Sequence, residues 1–173
     1  MAPNFPTRVR AAMACRIVNL DRVNFNDACA SGTYPCAPAT RAGSARVFTE
    51  AELPPLFYFA RLTEFGLPAG KAGAMACKMA AAASADSSAP ATRIIYVHGE
   101  FTSGFFIPNK SVRAPDGAIV DNYDPEHETP NEKHPTGFHY PGNGRVIFTI
   151  EFYIKPVREM IAERLAYATR RAS

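Results

Sequence analysis

Tryptophan is absent from this 173-residue chain, and so is any C-x-x-C pair. Also missing are a phosphate-cradling glycine loop, H-E-x-x-H and G-x-S-x-G. Those absences remove the usual sequence signatures of zinc ribbons, P-loop enzymes, zinc proteases and serine hydrolases. No apolar run reaches the roughly 18 residues that a membrane-spanning helix needs, so no membrane partner is expected. Near the N-terminus, Arg10 and Arg16 enclose only the short apolar stretch Ala11 to Cys15. That is too short for a secretory core, and the chain reads as cytoplasmic. Its four cysteines, Cys15, Cys29, Cys36 and Cys77, are therefore expected as reduced thiols. Cys29, on the inner side of a short helix, reads as a small hydrophobe.

What is present belongs to an ordinary globule. The chain is 47% hydrophobic and 20% charged, which excludes wholesale disorder. Alanine is abundant early and scarce between Ile119 and Ile161, so two halves are expected. Residues 1–80 hold nine Lys/Arg against five Asp/Glu, a net +4; residues 81–173 hold ten against eleven, a net −1. A basic N-terminal half suits an acidic partner such as nucleic acid, although the same charge also serves simple solvation.

In the first half, Val9, Ala12, Met13 and Ile17 recur at helical spacing. Asp21 is placed to cap a second helix, and Gly32 to end it. Pro35 and Pro38 then forbid a long regular helix. Arg41-Ala-Gly-Ser-Ala-Arg46 reads as a tight turn carrying two guanidiniums. Thr49-Glu-Ala-Glu52 has the form of a capping box, and a buried helix is expected from Pro54 to Gly66. Pro68 opens another helix, whose stripe is Ala72, Met75, Ala76, Met79 and Ala83. A small-residue linker over 84–92 follows.

The second half changes period. Arg93 to His98 reads as a strand, Gly99-Glu100 as a turn, and Phe101 to Ile107 as the returning strand. Residues 108–143 read as a long acidic loop. Arg145 to Ile154 is the strongest strand pattern, and Pro156 opens a last helix with Val157, Ile161, Leu165 and Ala168 on one face. The expected class is α+β: a mostly helical N-terminal domain over 1–83, then a small antiparallel sheet with a terminal helix over 93–173. The terminal stripe is expected either to join two copies as a homodimer or to cover the sheet.

Residues 19–80 carry a resemblance. Gly43-Ser-Ala-Arg46-Val-Phe48-Thr-Glu-Ala-Glu-Leu53, then Leu56, Leu62-Thr-Glu-Phe-Gly66-Leu and Ala72 resemble the MerR-type and excisionase-like winged helix-turn-helix. In that family a wing ends in Gly-x-x-Arg-x-Tyr/Phe, followed by an acidic, Leu-bearing helix and a Leu-x-x-x-Gly break. The resemblance implies sequence-specific binding of double-stranded DNA and transcriptional regulation, in a chain of phage type. It implies partners such as RNA polymerase, with no cofactor. DNA contacts are expected from Arg16, Arg22, Arg41 and Arg46, with Thr33, Tyr34 and Thr40 as neutral donors to the backbone. The alternative class is an assembly or protein-interaction factor that does not bind DNA.

Other sites carry less. His127, His134 and His139 are spaced H-x6-H-x4-H, which matches no structural zinc pattern, so no metal is expected. His98 and Glu100 straddle a turn, which sets them poorly for acid–base work, so an enzyme is not expected.

Overall fold

The computed structural model describes residues 8–41, 43–84, 92–99, 103–106, 112–113, 119–120 and 146–170. The class is α+β, with helices in the N-terminal part and a three-stranded antiparallel sheet followed by a terminal helix in the C-terminal part. Backbone contacts divide the chain into two units. One comprises Met1–Cys77 with Pro156–Ser173, and the other Lys78–Lys155. The expected boundary after residue 83 therefore shifts, and most of the terminal helix groups with the N-terminal residues rather than with the sheet.

The first unit opens with strand β1 (Arg8–Arg10), where the sequence suggests the start of a helix. Arg-Val-Arg alternates polar and apolar residues, and Val9 pairs with Phe48 of β2 (Val47–Thr49) in an antiparallel ladder. Helix α1 (Ala11–Val18) follows, and Asn19 closes it in the left-handed conformation. Asp21 then caps α2 (Arg22–Ala30) as expected, its carboxylate accepting from the amides of Val23 and Asn24. Gly32, at φ 71°, turns the chain out of α2.

The capping box is formed. Thr49 and Glu52 close a 3-10 turn over Glu50–Glu52, which leads into α3 (Leu53–Glu64) with proline in its first turn. Helix α3 buries Leu53, Leu56, Phe59 and Leu62, in keeping with its apolar circumference. The core is aromatic: Tyr34 lies 5.0 Å from Phe59, and Phe25 lies 5.7 Å from Phe48, measured between ring centroids. Arg61 docks α3 on the end of α1 by donating to the carbonyl of Asn19 at 2.9 Å. Cations suit a helix C-terminus, where carbonyls lack partners.

Helix α4 (Ala69–Ser84) buries Ala72, Ala76, Met79 and Ala83 of the expected stripe. It passes close to residue 33, and a methyl group on Gly73 would collide with the Thr33 carbonyl. A disulfide joins Cys36 to Cys77 beside this approach. The expectation of four reduced thiols is thus corrected for two of them. Their positions lie 41 apart, and such spacing carries no signature in a sequence. Cys15 and Cys29 are free.

Helix α5 (Ile154–Arg170) turns its stripe inward: Val157, Ile161 and Leu165 are buried within the chain. Arg164 donates to the carbonyl of Ile17 at 2.6 Å, tying α5 to α1. Residues from Pro156 onward group with the N-terminal residues.

In the second unit, β3 (Arg93–Gly99) is the centre of the sheet, with β4 (Ser103–Phe106) and β7 (Val146–Tyr153) antiparallel on either side. Ile94, Ile95, Val97 and Phe152 are buried. The His98 ring stacks on Phe148 at 4.8 Å. Inside the expected long loop, β5 (Val112–Arg113) pairs with β6 (Ile119–Val120). Glu100, His127, His134 and His139 lie outside the described residues, as does most of the 84–92 linker.

Candidate nucleic-acid interface

Three arginines converge on one face of the helical unit. The β1–β2 ladder sets Arg10 opposite Val47, and the Ala11 amide donates to the Arg46 carbonyl at 2.9 Å. Arg10 and Arg46 are thereby held side by side. Arg22 comes from the first turn of α2, one helical turn before Asn26. Together with Thr40 and Ser44 they line a depression of about 580 Å³. Its apolar wall includes Phe25, Ala12 and Ala30. No carboxylate lines it, and among the described residues none of the three guanidiniums is paired with one.

The expected turn forms one rim. The Ser44 amide donates to the Arg41 carbonyl at 3.0 Å, and Gly43 sits at φ 78°, a conformation that glycine adopts without strain. Thr40 Oγ1 donates to the Ser44 carbonyl at 3.0 Å and braces the same turn. The Arg46 guanidinium donates to the carbonyl of Pro38, and Arg46 also lines the depression. Cys29 also lines it. Burial pushes this thiol above its ordinary range, with the nearby Arg46 opposing, so the group stays protonated at neutral pH.

The seven residues expected to touch DNA separate into three groups. Arg22, Thr40 and Arg46 meet at the depression, and Arg41 stands exposed on its rim turn. Arg16 is exposed on α1 but lines a different recess, with Arg164 and Tyr167 of α5. Tyr34 is corrected, whereas Thr33 is half-buried. Thr33 Oγ1 is engaged with Ser31 and the Ala28 carbonyl, and Tyr34 is only 2% exposed. The ring of Tyr34 is a core piece between Phe25 and Phe59, and burial drives its phenol well above the usual range. The reading as donors rested on residue type in a proline-rich segment. Its fault at Tyr34 was to take a loop sequence for an exposed side chain.

Arg10 was not anticipated. Its signal is the Arg-Val-Arg alternation, which as a strand puts Arg8 and Arg10 on one side and Val9 on the other. The expected self-association stripe is also not a free surface. Val157, Ile161 and Leu165 are buried, and Ala168 is half-buried. Among the described residues no group of His, Cys, Asp and Glu is arranged to hold a metal ion, and no helix is long and apolar enough to cross a membrane. The chain matches no protein-family model and no curated protein.

Proposed function

We propose that the helical unit binds double-stranded DNA, and that the chain acts as a DNA-binding regulator. The observation that supports this is the convergence of Arg10, Arg22 and Arg46 on a carboxylate-free face, with Arg41 on the adjoining turn. Like charges held together raise the local affinity for anions, and guanidinium forks match phosphate oxygens. Helix α2 offers the base-reading types. Arg22 and Asn26 lie one turn apart and both face the depression. Arg suits guanine and Asn suits adenine in a major groove.

Titration of a random duplex pool at several salt concentrations tests the reading. Affinity should fall linearly with salt on logarithmic axes, and the slope should count the phosphates neutralised. Selection from the same pool should then enrich a motif. Absence of duplex binding at low salt would overturn the proposal.

A further inference from the structure

A duplex offers its phosphates on a convex surface, which guanidiniums on a flat or ridged face already reach. Here the same groups stand around a recess of about 580 Å³, within the size range of small-molecule sites. Its lining is of mixed chemistry. Arg10, Arg22 and Arg46 supply cationic forks, Thr40 and Ser44 supply hydroxyls, and Ala12 and Ala30 supply exposed methyl groups. A ligand fitting this lining carries a compact anion and an organic part that meets the methyls of Ala12 and Ala30.

We infer that this recess takes a small phosphomonoester of nucleotide size, and that its occupation excludes duplex DNA. The inference rests on the proposed DNA interface, because Arg22 and Arg46 serve both ligands. A phosphomonoester carries close to two negative charges at neutral pH, whereas each backbone phosphodiester carries one. Three guanidiniums with no carboxylate partner among the described residues therefore favour the monoester, and the planar guanidinium suits bidentate contact. The Ser44 hydroxyl adds a neutral donor to the lining. Filling the site removes the cations on which a backbone phosphate depends, so free ligand and duplex compete.

The test uses the full chain, isotopically labelled for amide NMR, titrated to millimolar concentration with adenosine 5′-monophosphate, adenosine or inorganic phosphate. The monophosphate should shift amides in residues 10–12, 22–30 and 40–46, and adenosine should not. Arg22→Ala, an exposed change that leaves the Asp21 cap intact, should weaken the response at least tenfold while the fold is kept by circular dichroism. In a parallel anisotropy titration the monophosphate should raise the apparent Kd for duplex. Duplex binding with no monophosphate response overturns the inference and leaves the DNA reading intact. Monophosphate binding without duplex binding overturns the DNA reading and the exclusion with it, and leaves only the phosphomonoester site. An equal response to inorganic phosphate overturns the claim that an organic group is recognised.

Discussion

The Ala11 amide donates to the Arg46 carbonyl at 2.9 Å, and this one bond joins the start of α1 to the end of the 40–46 segment. It makes the placement of Arg10 beside Arg46 a property of the backbone rather than of two mobile side chains. A surface arginine held this way loses less freedom on meeting an anion.

Each arginine should therefore act as a separable phosphate contact. Arg10→Ala and Arg22→Ala should each flatten the logarithmic salt dependence of duplex binding by about 0.9. Arg16→Ala, on a different recess, should change neither slope nor affinity. Equal slopes for all three variants would move the interface off this depression.

The Cys36–Cys77 disulfide closes a loop that contains the Arg41–Ser44 turn. Closure of a loop of this length stabilises a fold by about 4 kcal/mol in the chain-entropy treatment. Reduction should lower the thermal midpoint of the native protein and leave that of Cys36→Ser unchanged. Because both ends lie in the helical unit, the loss should be accompanied by weaker duplex binding. An unreduced midpoint identical to that of Cys36→Ser would mean that the bond does not form in solution.

Two glycines of α4 should behave oppositely. A methyl on Gly73 meets the Thr33 carbonyl, so Gly73→Ala should destabilise by more than about 2 kcal/mol as the helix is pushed off the 33–34 segment. A methyl on Gly70 meets only the Thr33 Cγ2 at 3.9 Å, an ordinary contact. Gly70→Ala should be neutral or stabilise by up to about 1 kcal/mol through helix propensity. Urea unfolding of both variants reads the difference, and equal effects would show that α4 does not approach residue 33 this closely.

Burial pushes the Cys15 thiol up to about 11 from an ordinary value of 9.0. A raised pKa in the folded state contributes stability that is complete below pH 9 and lost as the pH climbs through about 11. The loss attributable to this group is on the order of 2–3 kcal/mol. Cys15→Ala should flatten the stability profile across that window. A thiol reagent at pH 8 should modify half-buried Cys29 first and Cys15 only on unfolding. Rapid modification of Cys15 in the folded protein would contradict its placement in the core.

Local chemistry was legible in the sequence, and long-range pairing was not. The Asp21 cap, the Thr49–Glu52 box, the Gly43 turn and the α4 stripe are each written within a few residues, where the physics is short-ranged. The pairing of β1 with β2, the Cys36–Cys77 bond and the return of α5 to the N-terminal residues are all contacts between distant segments. No periodicity encodes them. Arg22, Thr40 and Arg46 were found as chemical types, but their meeting depends on Arg10 and on the ladder that carries it. Tyr34 shows the converse: a polar residue just before a proline, with its ring in the core.

The last prediction concerns α5, whose stripe reads equally well as a self-association surface and as a core face. The structure buries Ile161 completely and leaves Leu165 only 6% exposed. Arg164 fixes the register by donating to the Ile17 carbonyl at 2.6 Å. A buried carboxylate without a partner costs several kcal/mol, enough to unfold a domain of ordinary stability. Leu165→Asp should therefore yield an unfolded or aggregated helical unit, not a folded monomer. Ile161→Ala should cost about 2–5 kcal/mol through the cavity it leaves. Sedimentation of the native protein separates packing from association, because a core face gives the same mass at every concentration. A native dimer converted to a folded monomer by Leu165→Asp would show that the stripe joins two copies after all.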